Sequence, residues 1–459
     1  MERGFGSFTL VLAAVACLCL ATLAAGQKVA GYDSPQENRQ SVALSTSNMI
    51  VPASSVARPE DAGKFAHTNY VLRTLDGVRP HMSVNPDLTE TETPASLGCV
   101  YKVGPNYTGC NPATGGTKHP GGGWGAIAIV DAYHNPYAAY ELKTFSAAYG
   151  LPFVATKFTQ VYANGNGHCT VPPVDPGWGL EISLDIEWAH VMAPAARIIL
   201  VEACSSSMDD LAYAEYVAGQ WVAKYGGGDI SNSWGGGEFS GELAYDNYFF
   251  RYYFQNISYF ASAGDSGCGA AYPSSSPWVV SAGGTTVNRD SSGNFVNESC
   301  WAGSGGGTST YEVWEDDFTN SNMGGWASYQ YPIFGQNPRH TPDISFDADP
   351  ASGVVVLDCA YYSGTCYYFA VGGTSLSAPA LAGIVNSAAN KLGTANVSSG
   401  QFAPWYTNQE NNLIYAEYLG ANEYKKNYYD VTTGSNGCSV GAGWDYCTGV
   451  GSPRGKLGK

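Results

Sequence analysis

Apolar and polar positions change pattern several times along the chain. Ala126 to Asp131 reads AIAIVD, an apolar run closed by an acid, as in a strand buried on both faces of a parallel sheet. PYAAYELKTFSAAYG has helical spacing and a glycine stop at Gly150. Glu181 to Met192 is again spaced as a helix; ARIILVEA then reads as a strand and Met208 to Tyr225 as a helix. DISNSW, Ile257 to Asp265 and WVVSAGG read as further strands, and FAVGGTS runs into a helix from Ser375 to Lys391. Strands alternating with helices predict a doubly wound, mostly parallel α/β sheet with helices on both faces. Sites in such sheets gather at the carboxyl ends of the strands. Residues 285–365 are rich in Gly, Ser, Asn and Trp without periodicity, and read as loops and hairpins packed on the sheet. There is no internal repeat.

The amino-terminal part is different. Glu2 and Arg3 precede an apolar run from Phe8 to Ala25, closed by the small residues Ala24, Ala25 and Gly26. This is the pattern of a secretory signal peptide cleaved near Gly26. The alternative, a membrane anchor, meets a run slightly short for the roughly 20 residues of a span. Residues 27–97 are polar, with few apolar runs, and read as a lightly folded leader or pro-segment. The division expected is therefore 1–26 signal, 27–97 leader and 98–459 one large domain.

Composition narrows the class. The chain carries a formal charge of −17, with only 13% charged residues, 13% aromatic residues and 57 glycines. The acid excess argues against nucleic-acid or anionic-membrane partners. Of 12 cysteines, Cys17 and Cys19 leave with the signal, and the even remainder suits an oxidising compartment. No C-x-x-C pair is present, which argues against a zinc knuckle. Cys359 and Cys366 are close enough to clip a hairpin; the other pairings do not follow from sequence. A secreted monomer is expected.

Four stretches carry candidate chemistry. In GGTSLSAP (Gly372 to Pro379) a strand runs into a helix that starts at Ser375, placing its hydroxyl near free N–H groups and the positive end of the helix dipole. An ordinary Ser cap is the bland reading. In GLEISLDIEWAHVMAP, Glu181 and Asp185 are four apart on an otherwise apolar helix, so their carboxyls share one face; a solvated acidic stripe is the alternative. In ASAGDSG a strand ends and presents Asp265, or Asp265 merely stabilises its own turn. The fourth, Asp430 to Pro453, is a Gly-rich stretch holding Asp430 and Asp445. A serine nucleophile commonly uses a histidine base, yet none of the seven histidines opens a His-Gly-Thr motif.

Taken together and in this order, the Glu181/Asp185 pair, Asp265 in ASAGDSG and Ser375 in GGTSLSAP resemble the sedolisin family of serine-carboxyl peptidases over roughly Gly123 to Pro453. The resemblance implies a subtilisin-like fold and a peptidase working in acid through a Ser375 acyl-enzyme. Glu181 is then the base toward Ser375, Asp185 its orienting partner and Asp265 the oxyanion-hole residue. A carboxylate would repel the oxyanion, whereas a protonated carboxyl donates to it. The resemblance also implies a C-terminal Ca²⁺ loop, with carboxylates of Asp430 and Asp445 and main-chain oxygens of Val431, Gly441 and Gly443, hard ligands that suit this ion. It places Ser233, Trp234 and Gly235 beside the substrate cleft, their main chain pairing with an extended protein or peptide substrate; Trp234 in the core is an equal reading.

Residues 27–97 do not resemble the family's large inhibitory prosegment, so both a shortened pro-piece removed autocatalytically and a retained extension stay open. Endopeptidase action is expected, with tripeptidyl-aminopeptidase action as the alternative. Two further readings are a His-based subtilisin-like protease using Asp131 and a catalytically silent secreted binding module.

Overall fold

The computed structural model describes residues 42–43, 49–73, 91–249, 256–312, 329–335, 338–388 and 409–456. The signal segment and the residues around Asn396 lie outside these. A large sheet runs through the described chain. Its strands, in spatial order, are β13 (Phe295–Cys300), β12 (Val280–Arg289), β10 (Ile257–Ser262), β8 (Gly228–Asn232), β5 (Ala126–Ala132), β7 (Arg197–Ala203) and β6 (Phe158–Ala163), with β16 (Ile344–Asp347) also paired to β12. All these pairings are parallel except the hairpin of β12 with β13. This is the doubly wound α/β class that the alternation of patterns predicts.

Alternation along β5 explains the layers. Ile127 and Ile129 point into one apolar core, shared with helices α3 (Ala138–Tyr149), α4 (Pro176–Met192) and α8 (Thr374–Ala388). Ala126, Ala128 and Val130 point into the other, where Leu211, Ala214, Ala218 and Val222 of α5 (Met208–Lys224) cover them. A strand buried on both faces must be apolar throughout. Helix α4 follows the same logic: from Trp178 onward every residue is buried, because α8, β5 and β17 (Val354–Asp358) enclose it. A helix apolar all round belongs inside a protein, which makes the acids it carries informative. Asp175 caps its start by accepting from the Trp178 N–H.

The stretch 285–365 holds more order than its composition suggests. It supplies part of β12, β13, β16 and β17, besides the short pair β14 (Gly307–Thr308) and β15 (His340–Thr341). The polar leader departs further from the expectation of a lightly folded segment. Its strands β1 (Val42–Ala43), β2 (Met49–Val51) and β4 (Val71–Arg73) complete a five-stranded sheet, order β1-β2-β4-β18-β17, with β18 spanning Tyr367–Gly372. Its β3 (His67–Thr68) pairs antiparallel with β9 (Trp234–Gly237), which also carries β11 (Ala271–Tyr272) on its other edge. Five disulfides use all ten cysteines from Cys99 onward: 99–110, 169–204, 268–438, 300–447 and 359–366.

Candidate active site

The carboxyl edge of the main sheet collects the residues singled out from sequence. β8 ends at Asn232 and delivers Ser233; the loop after β10 delivers Asp265; β18 runs through Gly373 into α8 and delivers Ser375 in its first turn. Gly373 has φ +127, and a Cβ there would meet the Asn69 carbonyl oxygen at 2.1 Å and Asp265 Oδ2 at 2.6 Å. Only glycine accepts both that conformation and that approach.

Glu181 and Asp185 lie one turn apart on α4 and are fully buried. Both Glu181 oxygens and Asp185 Oδ2 lack a hydrogen-bond donor, whereas Asp185 Oδ1 accepts from Ser233 Oγ at 2.8 Å. Burial, then the charge of Asp185, then that of Asp131 push the Glu181 carboxyl well above the usual carboxylate range. Burial does the same to Asp185, against lowering contributions from Ser233 and Glu181. Two carboxylates cannot both stay ionised in such a place; a proton shared between them supplies the missing partner. The Ser375 hydroxyl stands near enough to favour the ionised form of Glu181, but as drawn it donates to the Ser233 carbonyl at 3.0 Å. Rotating that O–H moves the proton from one acceptor to the other.

Asp265 is held from one side only. Its Oδ1 accepts from the Thr374 N–H and the Thr374 hydroxyl, both at 2.8 Å, while Oδ2 has no partner. Burial pushes its carboxyl up to about 7. Below that value its carboxyl is neutral and can donate a hydrogen bond through Oδ2.

One acid that sequence reading treated only as a possible triad member belongs to the same group. Asp131, at the end of β5, is fully buried with neither oxygen paired. Burial, then Asp185, then Glu202 push its carboxyl up. The apolar run closed by an acid was the signal, but its direction toward Asp185 is a tertiary fact.

At Ser233–Gly235 the main chain pairs within the molecule. The main chain of Trp234 and Gly235 pairs with an extended strand, Thr68 opposite Trp234 and His67 opposite Gly235. The Trp234 side chain does not line the cleft. It is 1% exposed in the second core, and its indole N–H donates to the Val130 carbonyl. The strand occupying the cleft continues over Ser375. Asn69 N–H donates to Ser375 Oγ at 3.1 Å, and the Asn69 carbonyl accepts from the Ser375 N–H at 3.0 Å.

In the Gly-rich loop the two acids rest on main-chain donors. Asp430 accepts from Gly443 N–H, and Asp445 from the N–H groups of Gly441, Cys447 and Thr448. Both acids face Tyr424, whose phenol is pushed up by burial and then by Asp430, with Asp445 adding to it. Val431 is fully buried. Among the described residues no three His, Cys, Asp or Glu side chains form a metal cluster. Two converging carboxylates and main-chain oxygens are nonetheless the donor chemistry of a calcium ion.

Comparison with known proteins agrees with this geometry. No family model matches the chain. It is 28% identical over 340 residues to kumamolisin of Bacillus sp. (strain MN-32), which covers 63% of this chain and 52% of kumamolisin. It is 24% identical over 417 residues to sedolisin of Pseudomonas sp. (strain 101), which covers 86% of this chain and 66% of sedolisin. The chain is thus similar in sequence to kumamolisin and sedolisin. The solved Pseudomonas sedolisin, complexed with two molecules of pseudo-iodotyrostatin, superposes with a TM-score of 0.58 at 22% identity, over 80% of this chain and 96% of that one. The fold is thus the subtilisin-like α/β arrangement implied by the sedolisin resemblance. The chain spans about half to two thirds of the length of those two curated relatives.

Proposed function

We propose that this chain is a secreted serine-carboxyl peptidase that hydrolyses protein chains in acid. The observation that carries the reading is the buried Glu181/Asp185 pair, short of donors, next to a serine at a helix start. Ser375 Oγ attacks the substrate carbonyl and gives its proton to Glu181, which Asp185 orients and which in turn passes the proton to the leaving amine. The tetrahedral oxyanion lies between the Ser375 N–H and protonated Asp265. Water then hydrolyses the acyl-enzyme by the same base. Asp131 keeps the buried acid group short of charge, which favours a shared proton over two carboxylates.

Endopeptidase action is the reading we favour: the extended strand at the site is paired both before Asn69, with β9, and after it, with β18. The Gly-rich loop would hold Ca²⁺ through Asp430, Asp445 and the main-chain oxygens of Val431, Gly441 and Gly443. The ion would neutralise two converging acids and brace a loop that Cys268–Cys438 ties to the segment after Asp265. Export follows from the leading apolar segment, and no helix among the described residues is long and apolar enough to cross a membrane.

The test is hydrolysis of a denatured protein from pH 3 to pH 8 by the chain and by its Ser375→Ala and Glu181→Gln variants. The expected result is an optimum in acid and a loss of about 10⁴-fold or more in both variants. Full activity in Glu181→Gln overturns the mechanism.

A further inference from the structure

The sheet that meets the serine has an edge longer than the strand lying on it. Counting starts at Asn69, whose carbonyl accepts from the Ser375 N–H. Tyr70 is the first residue beyond it, and the next three form β4. Val71, Leu72 and Arg73 pair antiparallel with Gly372, Val371 and Ala370 of β18. β18 itself extends outward to Tyr367. Among the described residues no strand pairs with Tyr367, Tyr368 or Phe369 on the β4 side.

The same pairing continued outward has a fixed outcome. Each step forward along an extended chain in the place of β4 is one step back along β18. The fifth residue beyond the serine therefore comes opposite Phe369 and the seventh opposite Tyr367. Directly opposed side chains stand on the same face. Leu72, the third residue, and its partner Val371 already share the first apolar core, to which Phe369 also belongs. Third, fifth and seventh side chains thus run along one face of β18.

That face ends in a cluster of rings. Tyr362 lies parallel to Phe369 with centroids 6.1 Å apart and meets Tyr367 edge-on at 5.2 Å. Tyr361 meets Phe369 at 5.7 Å and Tyr362 at 5.3 Å, both edge-on. Tyr362 is 42% exposed, and Tyr361 and Tyr367 are half-buried. Burial, then the Tyr361 phenol, push the Tyr70 hydroxyl up, so the cluster reaches back toward the first residue beyond the serine. The loop carrying Tyr361 and Tyr362 is closed by Cys359–Cys366. Gly364 in that loop has φ +99, and a Cβ there would come 2.7 Å from the Tyr137 hydroxyl. The rings are held before anything binds, which reduces the ordering cost of binding.

We propose that Tyr362, Tyr367 and Phe369, with Tyr361 beside them, form a distal substrate site that takes aromatic side chains at the fifth and seventh residues beyond the cleaved bond. The inference rests on the peptidase reading given above and names a substrate class within it. That class is polypeptides that continue past the bond in extended form and carry Phe, Tyr or Trp at those alternate positions. Pairing of main chains along β18 supplies affinity, and the rings supply the choice of side chain, as for other peptides added to a sheet edge. Offset and edge-to-face ring pairs gain beyond the area they bury.

The experiment uses the full chain and a peptide core taken from its digest of a denatured protein, with the single cleaved bond located by mass. The core is extended to the seventh downstream residue with Tyr at the fifth and seventh positions, or with Ser at both. A control ends at the fourth. Each peptide is offered in acid at low concentration, so that kcat/KM is read directly. The Tyr version is expected to be cut about fivefold faster than the Ser version, the size of two aromatic cross-strand pairs. In the variant carrying Tyr362→Ser and Tyr367→Ser the ratio of Tyr to Ser versions falls toward one, whereas Tyr362→Phe, which keeps the ring, retains it. The ratio is taken within one preparation, so a loss of folded enzyme does not move it. Three results overturn the inference and leave the peptidase reading standing: equal cutting of the Tyr and Ser versions by the wild type, a control cut as fast as the Tyr version, or an unchanged ratio in the Ser variant. A chain that cuts neither the peptides nor the denatured protein overturns both.

Discussion

Two buried acidic groups in this molecule are handled in opposite ways. Asp343 is fully enclosed, and every part of its carboxylate is matched: Arg339 binds both oxygens, the Ser281 N–H donates to Oδ2 at 2.7 Å, and the Tyr415 hydroxyl donates to Oδ1 at 2.8 Å. Glu181, equally enclosed, has no donor on either oxygen and three further acids, Asp185, Asp131 and Asp265, acting on it. The same residue chemistry thus serves structure where a cation and N–H groups surround it. Where the surroundings withhold them the group is left holding a proton, which is the property the proposed mechanism uses. A carboxyl left without donors keeps its proton to high pH and can give it up only in exchange for another.

The sharpest way to break this contrast is to remove one acid from each group and compare melting. Asp343→Ala leaves the Arg339 charge buried and unpaired, and is expected to cost about 3–5 kcal/mol in denaturant unfolding. Glu181→Gln removes a group that already resists ionisation, and is expected to melt at or slightly above the wild-type temperature near pH 7. Equal losses in both would dissolve the distinction.

The next largest effect separates donor from charge at the oxyanion position. Asp265→Ala is expected to lower kcat by about 10²–10³-fold. Asp265→Asn keeps a neutral donor at every pH, so any rate loss near pH 7 caused by ionisation of Asp265 should disappear in it. A high-pH limb identical in wild type and Asp265→Asn assigns that limb to the Glu181/Asp185 pair instead.

The smallest effect per group, but the most widespread, is on stability against pH. Burial pushes Asp229 and Glu141 up to about 8 and Asp265 up to about 7, against roughly 4 in an unfolded chain. Below pH 4 both states hold these protons, so no penalty arises. Between pH 4 and pH 7–8 only the unfolded state releases them, so each group lowers stability as the pH rises. Melting of Ser375→Ala, which avoids autolysis, should therefore show its highest midpoint in acid and a decline toward pH 8. A midpoint that rises across that interval would contradict the assignment of these groups as buried neutral acids.

Much of this was legible in the residues themselves. The apolar run of β5, the four-residue spacing of Glu181 and Asp185 inside an apolar helix, and the glycines before Ser375 each state a local physical requirement. What stayed hidden is tertiary. β12 contains Ser, Gly and Thr where a central strand usually carries branched apolar residues, so periodicity alone left it short. β6 and β16 were missed for similar reasons. Residues 67–69 read as polar leader because main-chain pairing, which has no side-chain signature, encloses them. The position of Trp234 stayed open because an aromatic beside a cleft and one in a core look alike in sequence. Asp131 was visible as a strand end, but its neighbours come from α4 and β7.

The separation of the reacting parts along the chain has a consequence for biosynthesis. The Ser375 hydroxyl meets a main-chain group 306 residues earlier in the sequence, and its proposed base lies on α4. At about 5–20 residues per second, the interval from Glu181 to Ser375 takes on the order of 10–40 s to synthesise. Throughout that time the ribosome carries a chain with the base but without the nucleophile. The proposed centre is completed only at that late point, and when the serine docks, the strand carrying Asn69 from the same molecule is already made.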